Sequence, residues 1–389
     1  MTRFLLALLA VPLLAGAAPP IPMAATPEEV GLSSAQLERI EATTQGNVKS
    51  GVPLGAVMAV ARHGKIAWYK AIGERAPGEA MRTDAVFRIY SMTKPIVSVA
   101  VMMLFEEGKV QLADPITKYI PELGAMKVGT EGVEPARPMT IQDLLTHTSG
   151  LIYPDGSNKS AVSQAYNAAA LFSADMTTVE LIKRASKLPL RFSPGTQWEY
   201  GISTDVLGRL LEVVDGKSLG EVLAARIFKP LGMTETGFFL PASMGNRAAQ
   251  FPRKPGAPQG GLAFDVTRKP GFESGGGGLA GTTDDYLRFA QMLLNGGEFN
   301  GKRILTRKSI ELMTTNHVGD MLGRPGYGFG LGFEVRASNG AYGWAGVAGT
   351  YFWVSPKEDL IAIYMTQVDP MDRARLRAQF RSMVEAAIQ

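Results

Sequence analysis

Strand-like patterns lie at both ends of this 389-residue chain, with a long run of helical patterns between them. Near the N-terminus, "GAVMAVARHGKIAWYKAIG" (55–73) reads as two apolar strands around a turn at His63-Gly64, a hairpin. Near the C-terminus, "GYGFGLGFEVRA", "AYGWAGVAGTYFWVSP" and "DLIAIYMTQV" read as three more strands. Strands so far apart in sequence most simply join one antiparallel sheet, with the helical region inserted between them. Helices segregated from an antiparallel sheet make an α+β arrangement. The expected layout is a sheet subdomain at 33–90 and 277–389, and a helical subdomain at about 105–250.

The inserted region carries "TIQDLLTHTSG", "TTVELIKRASKL", "STDVLGRLLEVVDG" and "LGEVLAARIFKPLG", each with helical periodicity. Further helices are expected at 33–51, capped by Ser33 or Ser34, in "TTDDYLRFAQMLLNGG", and in "RARLRAQFRSMVEAAI". Residues 241–276, rich in Pro, Gly and Arg/Lys, read as a long surface connection.

Residues 1–18 read as a secretory signal peptide: Arg3, then "FLLALLAVPLLAG", then small residues at 15–17 for cleavage. The apolar stretch is shorter than the roughly 20 residues of a membrane span, and Pro12 interrupts it. The expectation is an exported protein, periplasmic or secreted, without a stable membrane anchor. Residues 19–32 form a loose lead-in. The chain has no cysteine, which excludes thiol catalysis, thiolate metal sites, disulfides and a lipidated cysteine. Net charge is only +4, and no basic block interleaves with aromatics, so nothing points to nucleic acid.

The candidate chemistry centres on "FRIYSMTKPIVSVAVMMLFEEG" (87–108). Ser91 and Lys94 are three residues apart and share a face if the helix starts at the serine. Pro95 suits a first helical turn. A serine hydroxyl needs a base within hydrogen-bond reach, and Lys94 is a candidate. The plain alternative is Ser91 as helix cap and Lys94 reaching for water. Gly216-Lys217-Ser218-Leu219-Gly220 fits a nucleophile elbow, but a helix rather than a strand precedes it, and Ser218 with Glu221 reads as a capping box. His63, His147 and His317 make no triad, and no metal motif is present. Tyr200, at a loop-helix junction after a Pro-Gly turn, is either a second acid-base group or a half-buried structural ring.

Taken in order, Ser91-Met92-Thr93-Lys94, "LLTHTSGL" (144–151), Pro194-Gly195, Tyr200, "GGGLAGTTDDYLRF" and "GWAGVAGTYFWV" resemble serine hydrolases of the class C β-lactamase fold, family VIII carboxylesterases above all. The resemblance covers roughly residues 27–385. It implies a β-lactamase/transpeptidase-like fold, with the site between an α/β part and a helical part. It implies Ser91 as nucleophile, Lys94 and Tyr200 as a proton-transfer pair, and the backbone N–H groups of Ser91 and Val347 as oxyanion hole. Trp344-Ala345-Gly346 would stand on the substrate-binding strand, where β-lactamases carry Lys-Thr-Gly. Ile202 replaces the asparagine of their Tyr-x-Asn box. His147 would organise its turn rather than react. No cofactor or metal is implied, and the partner is a small-molecule ester.

The expected activity is hydrolysis of carboxylic esters with short acyl groups, through an acyl-enzyme on Ser91. A β-lactamase, D-amino-acid peptidase or acyltransferase on the same fold is the enzymatic alternative, and a non-catalytic penicillin-binding-like receptor the other. Ile202 and Trp344 remove polar partners for a β-lactam's amide and carboxylate. Two such losses imply at least about 100-fold weaker β-lactam turnover, at 1.4 kcal/mol per tenfold.

Overall fold

A computed structural model describes residues 21–172, 176–252 and 263–389. The expected signal peptide lies outside the described residues, as do 253–262 of the long connection. The main sheet has eight strands, all paired antiparallel. From one edge the order is Glu79–Ala80, Lys65–Ala76, Gly55–Arg62, Leu360–Thr366, Tyr351–Ser355, Tyr342–Ala345, Glu334–Arg336 and Tyr327–Phe329. The first and last long strands are therefore neighbours at its centre, in register from Ala56 opposite Thr366 to Arg62 opposite Leu360.

Period-two alternation sends one set of side chains to each face. Met58, Val60, Trp353 and Tyr364 pack against Leu37 and Ile40 of the helix Ser34–Lys49, and against Leu376 and Phe380 of the C-terminal helix Arg373–Glu385. Val57, Ala59, Phe352 and Ile363 face the opposite core, shared with the helices Thr93–Glu106 and Thr283–Leu294. Each large side chain fully withdrawn from water contributes about 1.5–3 kcal/mol. With both faces covered, the strand Gly55–Arg62 is buried along its whole length.

Thr93–Glu106 is apolar nearly all round because it lies between the sheet and the helical part, touching the helices Ser203–Asp215 and Leu219–Leu223 as well. Two expected strands are each split. "GYGFGLGFEVRA" breaks into 327–329 and 334–336 around Gly330–Gly332. "AYGWAGVAGTYFWVSP" is a hairpin, Tyr342–Ala345 and Tyr351–Ser355, with a turn at 346–350. That turn reaches the candidate site. The helices Ala161–Ala168 and Arg307–Met313 lie outside the stretches expected to be helical.

Candidate active site

Ser91 stands in a short 3-10 turn, Tyr90–Met92, which feeds directly into the helix Thr93–Glu106. Tyr90 is held at φ 45°, in the left-handed region that a bulky side chain rarely adopts. Such a conformation costs about 1–3 kcal/mol and persists only where its surroundings fix it. Here they do. Ile89 N–H donates to Leu279 O, the Thr350 hydroxyl donates to Ile89 O, Tyr286 Oη donates to Met92 O, and Leu279 N–H donates to Thr93 Oγ1. The nucleophile candidate is thus set by bonds from three separate segments, and its side chain is left partly exposed.

Lys94 is 1% exposed, so its ammonium must be satisfied by the protein. Its Nζ donates to Ser91 Oγ at 3.3 Å, to Tyr153 Oη at 3.0 Å and to Gly276 O at 2.6 Å. The Tyr153 hydroxyl donates onward to Asp205 Oδ2 at 3.3 Å. Asp205 Oδ1 accepts from Ser274 Oγ at 2.6 Å and from Gly276 N–H at 3.0 Å. Position 276 has no room for a side chain: a Cβ there would lie 2.4 Å from Asp205 Oδ2 and 2.5 Å from Tyr153 Oη. Burial pushes the Asp205 carboxyl up, against the Lys94 charge and its hydrogen bonds. Burial, then the Asp205 charge, pushes the Tyr153 phenol well above its ordinary range, so it stays a donor.

Tyr200 lies just ahead of the helix Ser203–Asp215. Lys94 Nζ sits 4.5 Å above the centre of its ring, in cation–π range, and Trp344 Nε1 donates to its hydroxyl at 3.4 Å. The ring is enclosed by His147, Tyr153 and Trp344, with centroids 4.9, 5.4 and 5.4 Å away. His147 caps the helix Ile141–Thr146 at φ 58°, and its Nδ1 accepts the Gly201 N–H at 3.4 Å. Burial, then the Lys94 charge, drives its ionisation well below the ordinary histidine range. It is neutral, and it ties its own turn to the backbone just after Tyr200.

The strand Tyr342–Ala345 ends in the turn that carries Val347. Gly346 is pressed onto the Ser91 segment, since a Cβ there would lie 2.4 Å from Ile89 O and 2.2 Å from Thr350 Oγ1. Only glycine permits that approach. From the other side, the C-terminal helix reaches the turn with two arginines. Arg373 Nη1 donates to Val347 O at 3.1 Å; Arg377 donates through Nη2 to Gly346 O and through Nε to Gly349 O at 3.4 Å. Ser91, Tyr200, Trp344, Ala345, Gly346 and Val347 line one cavity of about 500 Å3, together with Arg373 and Arg377.

The expected site residues therefore meet in one place, with one exception. Ile202 is fully buried in the core and does not line the cavity; its position at the N-terminal end of the helix Ser203–Asp215 turns it inward. The hydroxyl of Tyr200 bonds to Trp344, and the tyrosine hydroxyl that Lys94 holds belongs to Tyr153. Tyr153, Asp205 and the two arginines escaped sequence reading. An acid inside an apolar helix and arginines four apart in "RARLRAQFR" were the available signals. Ser218 caps the helix Leu219–Leu223 in a full capping box. His63 pairs with Asp359 in the hairpin turn, and His317 Nε2 contacts Leu312 O. Among the described residues, no group of three or more His, Asp or Glu could hold a metal ion, and no helix is long and apolar enough to cross a membrane.

Comparison with known proteins agrees with this architecture. Residues 40–383 match the family model described as Beta-lactamase. The chain is 36% identical over 356 residues to an uncharacterized protein of Mycobacterium tuberculosis, covering 82% of this chain and 87% of that one. It is 32% identical over 352 residues to esterase EstB of Burkholderia gladioli, covering 84% and 87%. Among solved structures it is similar to EstCE1, a hydrolase with promiscuous acyltransferase activity, at TM-score 0.78 and 26% identity over 90% of this chain and 98% of that one. A large antiparallel sheet with helices is the fold these comparisons support, and the chain belongs to the Beta-lactamase family of serine hydrolases.

Proposed function

We propose that the protein is a carboxylesterase that works through an acyl-enzyme on Ser91. The observation that carries the reading is the bond from the buried Lys94 ammonium to Ser91 Oγ, Ser91 lining a cavity that Tyr200 also lines. The Ser91 proton passes to Tyr200 Oη, acting as a phenolate paired with the Lys94 ammonium, as Oγ attacks the ester carbonyl. The carbonyl oxygen becomes an oxyanion held by the N–H groups of Ser91 and Val347. The intermediate collapses, its C–O bond breaks, and Tyr200 returns the proton to the leaving alkoxide. Water then attacks the acyl-enzyme with the same groups as base, releasing the acid and restoring Ser91. Homology to esterase EstB and EstCE1 favours esters over β-lactams as substrates.

The apolar wall offered by Trp344 suits a short acyl group. Arg373 and Arg377 line the cavity too, so a β-lactam carboxylate would meet cations there. Ile202 does not line the cavity either, so the preference for esters rests on the esterase relatives and is expected to be smaller than two lost contacts would imply. The expected kcat/KM for p-nitrophenyl butyrate exceeds that for nitrocefin by about tenfold or more, at 1.4 kcal/mol per tenfold. Ser91→Ala should abolish both. A preference for nitrocefin rejects the esterase reading, and surviving turnover in Ser91→Ala rejects the nucleophile.

A further inference from the structure

We infer that Arg377 is a positioning residue of the oxyanion hole, its guanidinium aiming and polarising the Val347 N–H through the carbonyl of the same peptide group. The inference rests on the reading of Ser91 as nucleophile.

The peptide between Gly346 and Val347 is the centre of the matter. It is trans, since the cis bond among the described residues is Val52-Pro53. In a planar trans peptide the C=O and N–H point in opposite directions. The Gly346 carbonyl is directed at Arg377 on the C-terminal helix. Its partner N–H, on Val347, therefore points away from that helix, and Val347 lines the cavity with Ser91. The same carbonyl accepts Gly349 N–H at 3.1 Å, so two donors fix the tilt of one peptide plane. Arg373, one helical turn earlier, holds the next carbonyl, Val347 O, at 3.1 Å.

Arg377 makes no ion pair among the described residues: its hydrogen bonds go to the carbonyls of Gly346 and Gly349. It is half-buried, and burial followed by the charge of Arg373 lowers its ionisation to about 10, leaving it a cation near neutral pH. Keeping such a charge without a carboxylate partner is costly. The arrangement becomes intelligible if the charge acts through the peptide. A charge-assisted bond to the carbonyl draws electron density from the amide and makes its N–H a stronger donor, as in any hydrogen-bond chain. The gain is largest when negative charge develops on the substrate oxygen, so it belongs to the transition state rather than to the bound ester.

The test compares Arg377→Met and Arg377→Lys with the full-length protein. Removing a whole oxyanion donor costs about 10²–10³ in kcat elsewhere. Losing only its polarisation and aim should lower kcat for p-nitrophenyl butyrate about 10–100-fold in Arg377→Met, with KM within threefold. Arg377→Lys, which keeps the charge but not the fork, should fall between. A trifluoromethyl ketone, whose adduct with serine carries the oxyanion, should lose affinity by the same factor as kcat/KM. A merely structural arginine would not produce that match once active sites are counted by phosphonate labelling. Unchanged kcat, unchanged ketone affinity, or a raised KM with kcat intact would overturn the inference, the last making Arg377 an anion-binding group. If Arg377→Met does not fold, the same readings on Arg377→Lys decide. Ser91→Ala is run beside them. Surviving turnover there removes the nucleophile reading, whereas an inactive Ser91→Ala with an unimpaired Arg377→Met removes only the present inference.

Discussion

Two tyrosines meet Lys94, and replacing each by phenylalanine should give unequal results. Tyr153 receives a hydrogen bond from Nζ at 3.0 Å and passes its own proton toward Asp205. Tyr200 offers Nζ its ring face, and its hydroxyl accepts from Trp344, which lines the cavity with it. In Tyr153→Phe, Lys94 keeps Ser91 and Gly276 O as partners, and Asp205 keeps Ser274 and Gly276 N–H. One bond to a charged group is lost at each end, and such bonds contribute about 1.5–3 kcal/mol. If the lysine end of that loss appears in full as misplacement of the ammonium, kcat falls about 10- to 100-fold. On the proposed mechanism, Tyr200→Phe removes the group that transfers the proton, work typically worth about 10²–10⁴. Both variants should be assayed with p-nitrophenyl butyrate, with active sites counted by phosphonate labelling so that unfolding is not read as slow chemistry. If Tyr153→Phe proves the more damaging at equal site count, Tyr153 carries the proton and the roles given above are reversed.

Other substitutions probe the surrounding frame. Gly346→Ala would place a Cβ 2.4 Å from Ile89 O, so the turn must shift; kcat should drop by about 10² or more, the scale of one oxyanion donor, while a normal rate would show the turn is not needed where it lies. Ser218→Ala removes an exposed capping box and should lower stability by about 1 kcal/mol in urea unfolding with turnover retained; loss of turnover would revive the elbow motif. Asp285, buried, has its carboxyl pushed up to about 6 from an ordinary 3.8 by that burial, against bonds from the Thr236 hydroxyl and Glu235 N–H. Between those pH values the folded chain holds a proton that the unfolded chain releases, so this contribution is present below about pH 4 and lost as pH rises through 6. The difference corresponds to about 3 kcal/mol. Asp285→Asn cannot ionise yet can accept both bonds, so its stability relative to wild type should improve by about that amount between pH 4 and pH 7; a gap independent of pH would refute the assignment.

What could be read from the sequence followed from local pattern. The hairpin at His63-Gly64, the buried helix after Ser91 and the cap at Ser218 each depend on residues a few positions apart, where periodicity and capping operate. What escaped depends on distance in sequence. Tyr153 reaches Lys94 from 59 residues away, and Arg377 reaches Gly346 from 31. No spacing rule predicts such meetings, because the sheet and the inserted helices bring them about. Ile202 shows the converse: its position in a familiar box suggested a substrate contact, but the helix that follows turns it into the core. The split of "AYGWAGVAGTYFWVSP" was hidden because apolar residues continue straight through the turn, so only Gly346 and Gly349 marked the bend.

The order of strands also governs how the chain can come to rest. Gly55–Arg62 lies beside Leu360–Thr366, so the middle of the sheet joins an early strand to a late one. During synthesis the early hairpin must wait, one side open, until Leu360–Thr366 has emerged. Pairings that span such a separation close slowly, because the entropy of the intervening loop is lost before the contact is gained. Over that interval the open flank of Gly55–Arg62 can pair with another copy of itself. Shortening the chain before Leu360 would make that exposure permanent, leaving one bare edge on each half of the sheet.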